Sequence, residues 1–182
     1  MTDNNQYYFS PNEILKHCSW KDCWVSYLGK VYDLTRICEK YGTKVETKRI
    51  IESAGKDVST WTKEEDNNEV NRMWMNKKEY LIGCVTKRTM QIRLLNTLTK
   101  HEHMLEVCCE DTVKEVMRKY SVWNNHGGSY VWKHLGKKLD LNLTLEQNGV
   151  KDEQREFQVL DMKDELYTPC IMLYFSDDLT IN

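Results

Sequence analysis

Asp22-Cys23-Trp24-Val25-Ser26-Tyr27-Leu28-Gly29-Lys30-Val31-Tyr32-Asp33-Leu34-Thr35 decides how the first half of the chain folds. Two runs rich in aromatic and β-branched residues, Trp24 to Tyr27 and Lys30 to Tyr32, flank Leu28-Gly29. A tight reversal between two strands needs positive φ, which Gly adopts without steric penalty, so the stretch predicts a β-hairpin. Asp33-Leu34-Thr35 then leads into a helix, with Thr35 as its candidate N-cap.

On the N-terminal side, Tyr7-Tyr8-Phe9 predicts a short strand. Ser10-Pro11-Asn12-Glu13 predicts a helix start, with Ser10 at the cap, Pro11 at the first helical position and Glu13 closing a capping box. On the C-terminal side, Arg36 to Tyr41 is a short helical stretch ending at Gly42. Glu46 to Ala54 is a second, with Ile50, Ile51 and Ala54 on one face and Gly55 beyond. Val58 and Trp61 predict a further helical turn. Lys63 to Lys78 carries Val70, Met73 and Trp74 at the spacing of an amphipathic helix, and Tyr80 to Val85 is a strand.

The hairpin residues resemble the signature of the cytochrome b5 family, which reads Asp-Cys-Trp-Val, a short gap, then Gly-Lys-Val-Tyr-Asp-Val/Leu-Thr. Ala54-Gly55-Lys56-Asp57 is similar to the family's Ala-Gly-x-Asp, and Tyr80 to Val85 to its closing strand. The resemblance implies a cytochrome b5-like domain over about residues 6–87. It also implies a haem pocket between two helix pairs with one imidazole from each. The first His of the family lies six residues after the Thr of the signature; here that position is Tyr41, followed by Gly42-Thr43-Lys44. The second falls about ten residues after the Asp of Ala-Gly-x-Asp; here that is Asn67. His17 is the one His among residues 1–100, so a haem held by two imidazoles has no ligands. Two readings of Tyr41 stay open. In one it ligates haem b as a phenolate, with Met73 or Met75 opposite. In the other it ends its helix and packs over a pocket filled by Trp61, Trp74 and methionines. No cofactor is the expectation, with haem b at Tyr41 as the alternative.

Beyond Lys87-Arg88-Thr89, expected as a linker, Met90 to Leu95 and His103 to Val107 alternate as half-buried strands. Thr112-Val113-Lys114-Glu115 is a capping box opening a helix with Val113, Val116, Met117 and Tyr120 on one face. Tyr130 to Lys133 and Cys170 to Phe175 are further strands. Met90-Gln91-Ile92, Leu105-Glu106-Val107, Leu135-Gly136-Lys137 and Thr144-Leu145 resemble ubiquitin in order. The implied architecture is α+β: a cytochrome b5-like domain, a ubiquitin-like β-grasp domain at 89–176 with an insertion near Asp152 to Thr168, and a tail at 177–182. Lys133 stands where ubiquitin carries its central exposed Ile. No Gly-Gly end for conjugation is expected.

The 182 residues carry a net charge of −2, +2 over 1–88 and −4 over 89–182, so neither nucleic acid nor an anionic membrane is an expected partner. The polar N-terminus and the lack of an apolar run near ~18 residues predict no signal peptide and no membrane anchor. Seven Cys without framework spacing predict reduced thiols, Cys108-Cys109 included. His101-Glu102-His103 has metal-like spacing but no cluster to complete four ligands, so no metal is expected. No catalytic constellation stands out, and the chain is not expected to be an enzyme. Taken end to end, the sequence resembles a family of ciliary proteins with a cytochrome b5-like domain followed by a ubiquitin-like one. That resemblance implies a non-catalytic subunit of the ciliary axoneme, associated with radial spoke proteins and supporting coordinated beating. Trp123 and Trp132 are its candidate partner anchors.

Overall fold

The computed structural model describes residues 6–42, 45–61, 73–75, 77–161 and 168–175. The chain divides into two compact units between Lys87 and Arg88, and each has its own core.

In the first unit, β1 (Tyr8–Phe9), β2 (Cys18–Ser19), β3 (Asp22–Tyr27), β4 (Lys30–Asp33) and β5 (Leu81–Val85) form a five-stranded sheet in the order β1-β5-β4-β3-β2. The hairpin pairs Trp24 with Asp33 and Tyr27 with Lys30. Leu28 and Gly29 both take positive φ, 48° and 75°, the geometry of a type I′ turn that follows the twist of its strands. A Leu in that conformation is unusual; its side chain is exposed, and its N–H donates to Ser59 Oγ at 2.8 Å. Strand alternation gives the sheet two apolar faces. Cys23 and Val25 enter the larger cluster, while Trp24 packs with Phe9, Ile14 and Val31 on the other side.

Among the described residues three helices accompany this sheet: α1 (Pro11–Lys16), α2 (Thr35–Tyr41) and α3 (Val45–Glu52). Ser10 Oγ caps α1 by accepting from the Glu13 N–H at 3.1 Å. The expected cap at Thr35 is corrected. The cap position of α2 is Leu34, which has no side-chain cap bond. Asp33 Oδ1 accepts from the Thr35 N–H at 2.9 Å, and Thr35 Oγ1 accepts from the Cys23 N–H at 3.0 Å. Asp33 therefore satisfies a free helix donor, and the threonine hydroxyl is used to tie the helix start to β3. Residues 58–61 form a turn, Trp61 N–H to Val58 O at 2.9 Å, rather than a helix. Most of the amphipathic helix expected at 63–78, Asn67 included, lies outside the described residues.

The second unit contains β6 (Thr89–Asn96), β7 (Glu102–Cys108), α4 (Val113–Tyr120), β8 (Tyr130–His134), β9 (Lys137–Lys138), α5 (Gln154–Val159) and β10 (Cys170–Phe175). Its sheet order is β7-β6-β10-β8-β9, with β10 parallel to β6 and the other pairs antiparallel. Thr89 belongs to β6, not to a linker. Thr112 Oγ1 accepts from the Glu115 N–H while Glu115 Oε2 accepts from the Thr112 N–H, which completes the expected capping box. One face of α4 buries Val113, Val116 and Tyr120 against Ile92, Leu94, Trp132, Ile171 and Leu173. Leu135-Gly136 repeats the two-residue turn of the first unit, with φ 47° and 79°. A helix over a mixed sheet of this order is the β-grasp architecture.

Candidate functional site

The sequence places the first haem-ligand position at the end of α2, and the structure puts Tyr41 there, followed by Gly42 at φ 65°. Tyr41 is half-buried, with the Lys40 ammonium 5.2 Å from its ring centroid. It packs against a cluster drawn from the sheet (Cys23, Val25, Tyr32), α2 (Ile37, Cys38), α3 (Ile50) and the segment beyond (Val58, Trp61, Trp74, Met75). These are the elements that would wall a haem in the fold that the sequence resembles. Here their described side chains pack into one core cluster.

Trp74 is the centre of that cluster. It has no exposed surface, and its ring lies edge-on to Tyr32 at 5.0 Å and to Tyr27 at 5.9 Å. Such edge contacts put the positive rim of one ring against the negative face of another. Its indole Nε1 is buried without an acceptor. Trp61 is also buried, and the Arg49 guanidinium sits 4.3 Å from its ring centroid. The sequence named Trp61 and Trp74 as pocket fillers, and both lie in the cluster. The orphaned indole N–H could not be read from sequence.

Two thiols and a phenol in the cluster depart from their ordinary values, and the bond to Cys23 lowers the Cys38 thiol. The Cys23 and Cys38 side chains hydrogen-bond to each other, and this bond, then burial, pushes the Cys23 thiol up. Burial raises the Tyr32 phenol, and the neighbouring Tyr27 adds to the shift. His17 sits away from this cluster. Its Nδ1 lies 2.8 Å from both carboxylate oxygens of Asp22, and its ring stacks on Trp24 at 3.5 Å and 9°. Trp24 belongs to the opposite face of the sheet. A haem held by two imidazoles therefore does not fit the residues of this domain: the imidazoles are missing, and aromatic side chains fill the space among the described walls.

In the second unit the two anchor candidates separate. Trp132 is 1% exposed, stacks edge-on to Tyr120 and donates its Nε1–H to Gly127 O at 3.1 Å, so it is a core residue. Trp123 is 54% exposed. His101 precedes β7 and is exposed, while His103 is half-buried beside Tyr120 and Trp123. Cys108 is buried, and burial pushes the half-buried Cys109 thiol up, away from thiolate reactivity. Lys119 Nζ meets Asp111 Oδ2 at 2.8 Å, with both side chains largely buried. Lys133 lays its ammonium 4.7 Å from the Tyr174 ring centroid. Among the described residues no helix is long and apolar enough to cross a membrane.

A family profile agrees with the first of the two units. The profile of the Cytochrome b5-like Heme/Steroid binding domain matches residues 10–86. A solved cytochrome b5 of Ostreococcus tauri virus 2 is 33% identical over 43% of this chain and 95% of its own, at a TM-score of 0.34. A solved Caldiarchaeum Subterraneum ubiquitin covers 49% of this chain and 95% of its own at 20% identity and a TM-score of 0.38. "Cytochrome b5 domain-containing protein 1" of Xenopus tropicalis is 38% identical over 95% of this chain and 96% of its own length. In class, the protein is a cytochrome b5-like domain followed by a ubiquitin-like domain. The chain belongs to the cytochrome b5 domain-containing protein 1 family.

Proposed function

We propose that this chain is a non-catalytic structural subunit of the ciliary axoneme, associated with radial spoke proteins and supporting coordinated beating. One observation carries the non-catalytic part. The cytochrome b5-like domain keeps its hairpin, sheet and helices but has no His at either ligand position. Fast reversible electron transfer through bis-imidazole haem is not available to it. What two folded units offer instead is surface, and the exposed Trp123 is the side chain best suited to anchor a partner. The ciliary setting is supported by the end-to-end resemblance of the sequence to a ciliary family.

Fractionation tests the proposal. The tagged chain, expressed in ciliated cells, should stay with axonemes after detergent extraction and leave them only at high salt. Recovery wholly in the detergent-soluble fraction would reject it. A second reading, a haem-linked sensor with Tyr41 at the iron, is favoured by the place of Tyr41 at the end of α2. It requires a haem spectrum that Tyr41→Phe shifts or abolishes.

A further inference from the structure

We infer that this domain has replaced a prosthetic group with its own side chain: Trp74 is an internal plug seated where the walls of the cytochrome b5 fold would hold a porphyrin. Three independent observations converge on it. The residue is fully buried among side chains from β3, β4, α2 and α3. Tyr27 and Tyr32, from the two hairpin strands, both meet it edge-on, so the plug is clamped by the sheet floor. Its Nε1–H has no acceptor. A buried donor without a partner is unfavourable and is retained only where the alternative is worse. Here the alternative is a void the size of an indole within the core cluster that also holds Val25, Ile37, Ile50 and Val58. Close-packed interiors do not sustain such voids.

The plug also explains why the imidazoles can be missing without loss of the fold. In a haem-holding domain the cofactor is part of the core, and removing it loosens the walls. In this chain Trp74, Trp61 and Met75 supply such packing among the described residues. Tyr41 then serves as a half-buried wall residue at the end of α2. Entry of haem would require Trp74 to give up its edge contacts with Tyr27 and Tyr32.

Two measurements on the full chain test this. Titration with ferric haemin should give no saturable one-to-one Soret band and no rise in melting temperature. A saturable band with a raised melting temperature would overturn the inference, while leaving the axonemal fractionation unaffected. In Trp74→Gly the plug is deleted, and free indole should restore most of the lost melting temperature in a saturable way, as an apolar ligand fills a dry cavity. Wild type should not respond. A folded Trp74→Gly protein that ignores indole would also overturn the inference. Should that variant not fold, the wild-type haemin titration decides by itself.

Discussion

Replacing Trp74 by Ala gives the sharpest energetic prediction. Deleting a buried Trp side chain costs ~3–5 kcal/mol, the transfer term plus the cavity left behind. Removing an unsatisfied buried N–H returns part of that, because the orphan donor carries a desolvation penalty of ~1–3 kcal/mol. The balance for Trp74→Ala is a loss of about 2–3 kcal/mol. Trp74→Phe separates the two contributions. It keeps most of the aromatic volume and the edge contacts with Tyr27 and Tyr32, yet deletes the N–H. Its net effect should lie within ~1 kcal/mol of zero. Because the chain has two units, a melt alone does not say which of them was weakened. Amide exchange reports each unit separately. The Leu34 and Cys38 amides, bonded to Cys23 O and Leu34 O, should exchange roughly 30-fold to 150-fold faster in Trp74→Ala. Arg93, whose N–H bonds Pro169 O in the second unit, should not change. If Trp74→Ala leaves the first-unit amides unaltered, Trp74 is not a packing element and the reasoning fails.

Three further predictions rest on other contacts. Burial raises the Asp111 carboxyl above its ordinary 3.8, although Lys119 and the Cys108 N–H oppose the shift. The sign follows: a carboxyl raised in the folded state favours folding below its unfolded value, and that contribution is lost as pH rises through the folded one. Asp111→Asn should therefore flatten the urea-midpoint profile of the second unit across the acid range, and an unchanged profile would contradict the assignment. Thr112→Ala removes the cap of α4 and should cost ~1 kcal/mol, seen as faster exchange at Glu115 and Val116. Gly83→Ala would drive a Cβ into the Tyr7 carbonyl oxygen and within 2.7 Å of Phe9 Cε2. It should loosen β1 from β5, read as lost protection of the Cys84 and Thr86 amides, which bond Tyr7 O and Phe9 O.

Local chemistry made much of this fold legible. The hairpin could be placed because Leu28-Gly29 separates two β-rich runs, and α4 because its capping box and its apolar face agree. Thr35 misled because a Thr before a helix is ordinarily a cap. Only the tertiary structure shows that its hydroxyl is taken by the Cys23 N–H while Asp33 serves the helix. Helix α5 lies inside the stretch taken as an insertion, where no apolar period stands out. Trp123 and Trp132 were equivalent in composition, and position on β8 separated them. The loss of the imidazoles was visible as an inventory. What took their place was visible only as a pair of named fillers, because neither the edge contacts of Trp74 nor its unpartnered N–H leaves a mark in sequence.

A cytochrome b5-like domain plugged by Trp74 should carry no haem when it is isolated. Full-length protein produced in cells supplied with a haem precursor tests this, by the ratio of Soret to protein absorbance in oxidised and dithionite-reduced samples. The expected result is a protein spectrum with no Soret band and no reduced-minus-oxidised difference. A stoichiometric Soret band that shifts on reduction would contradict the account.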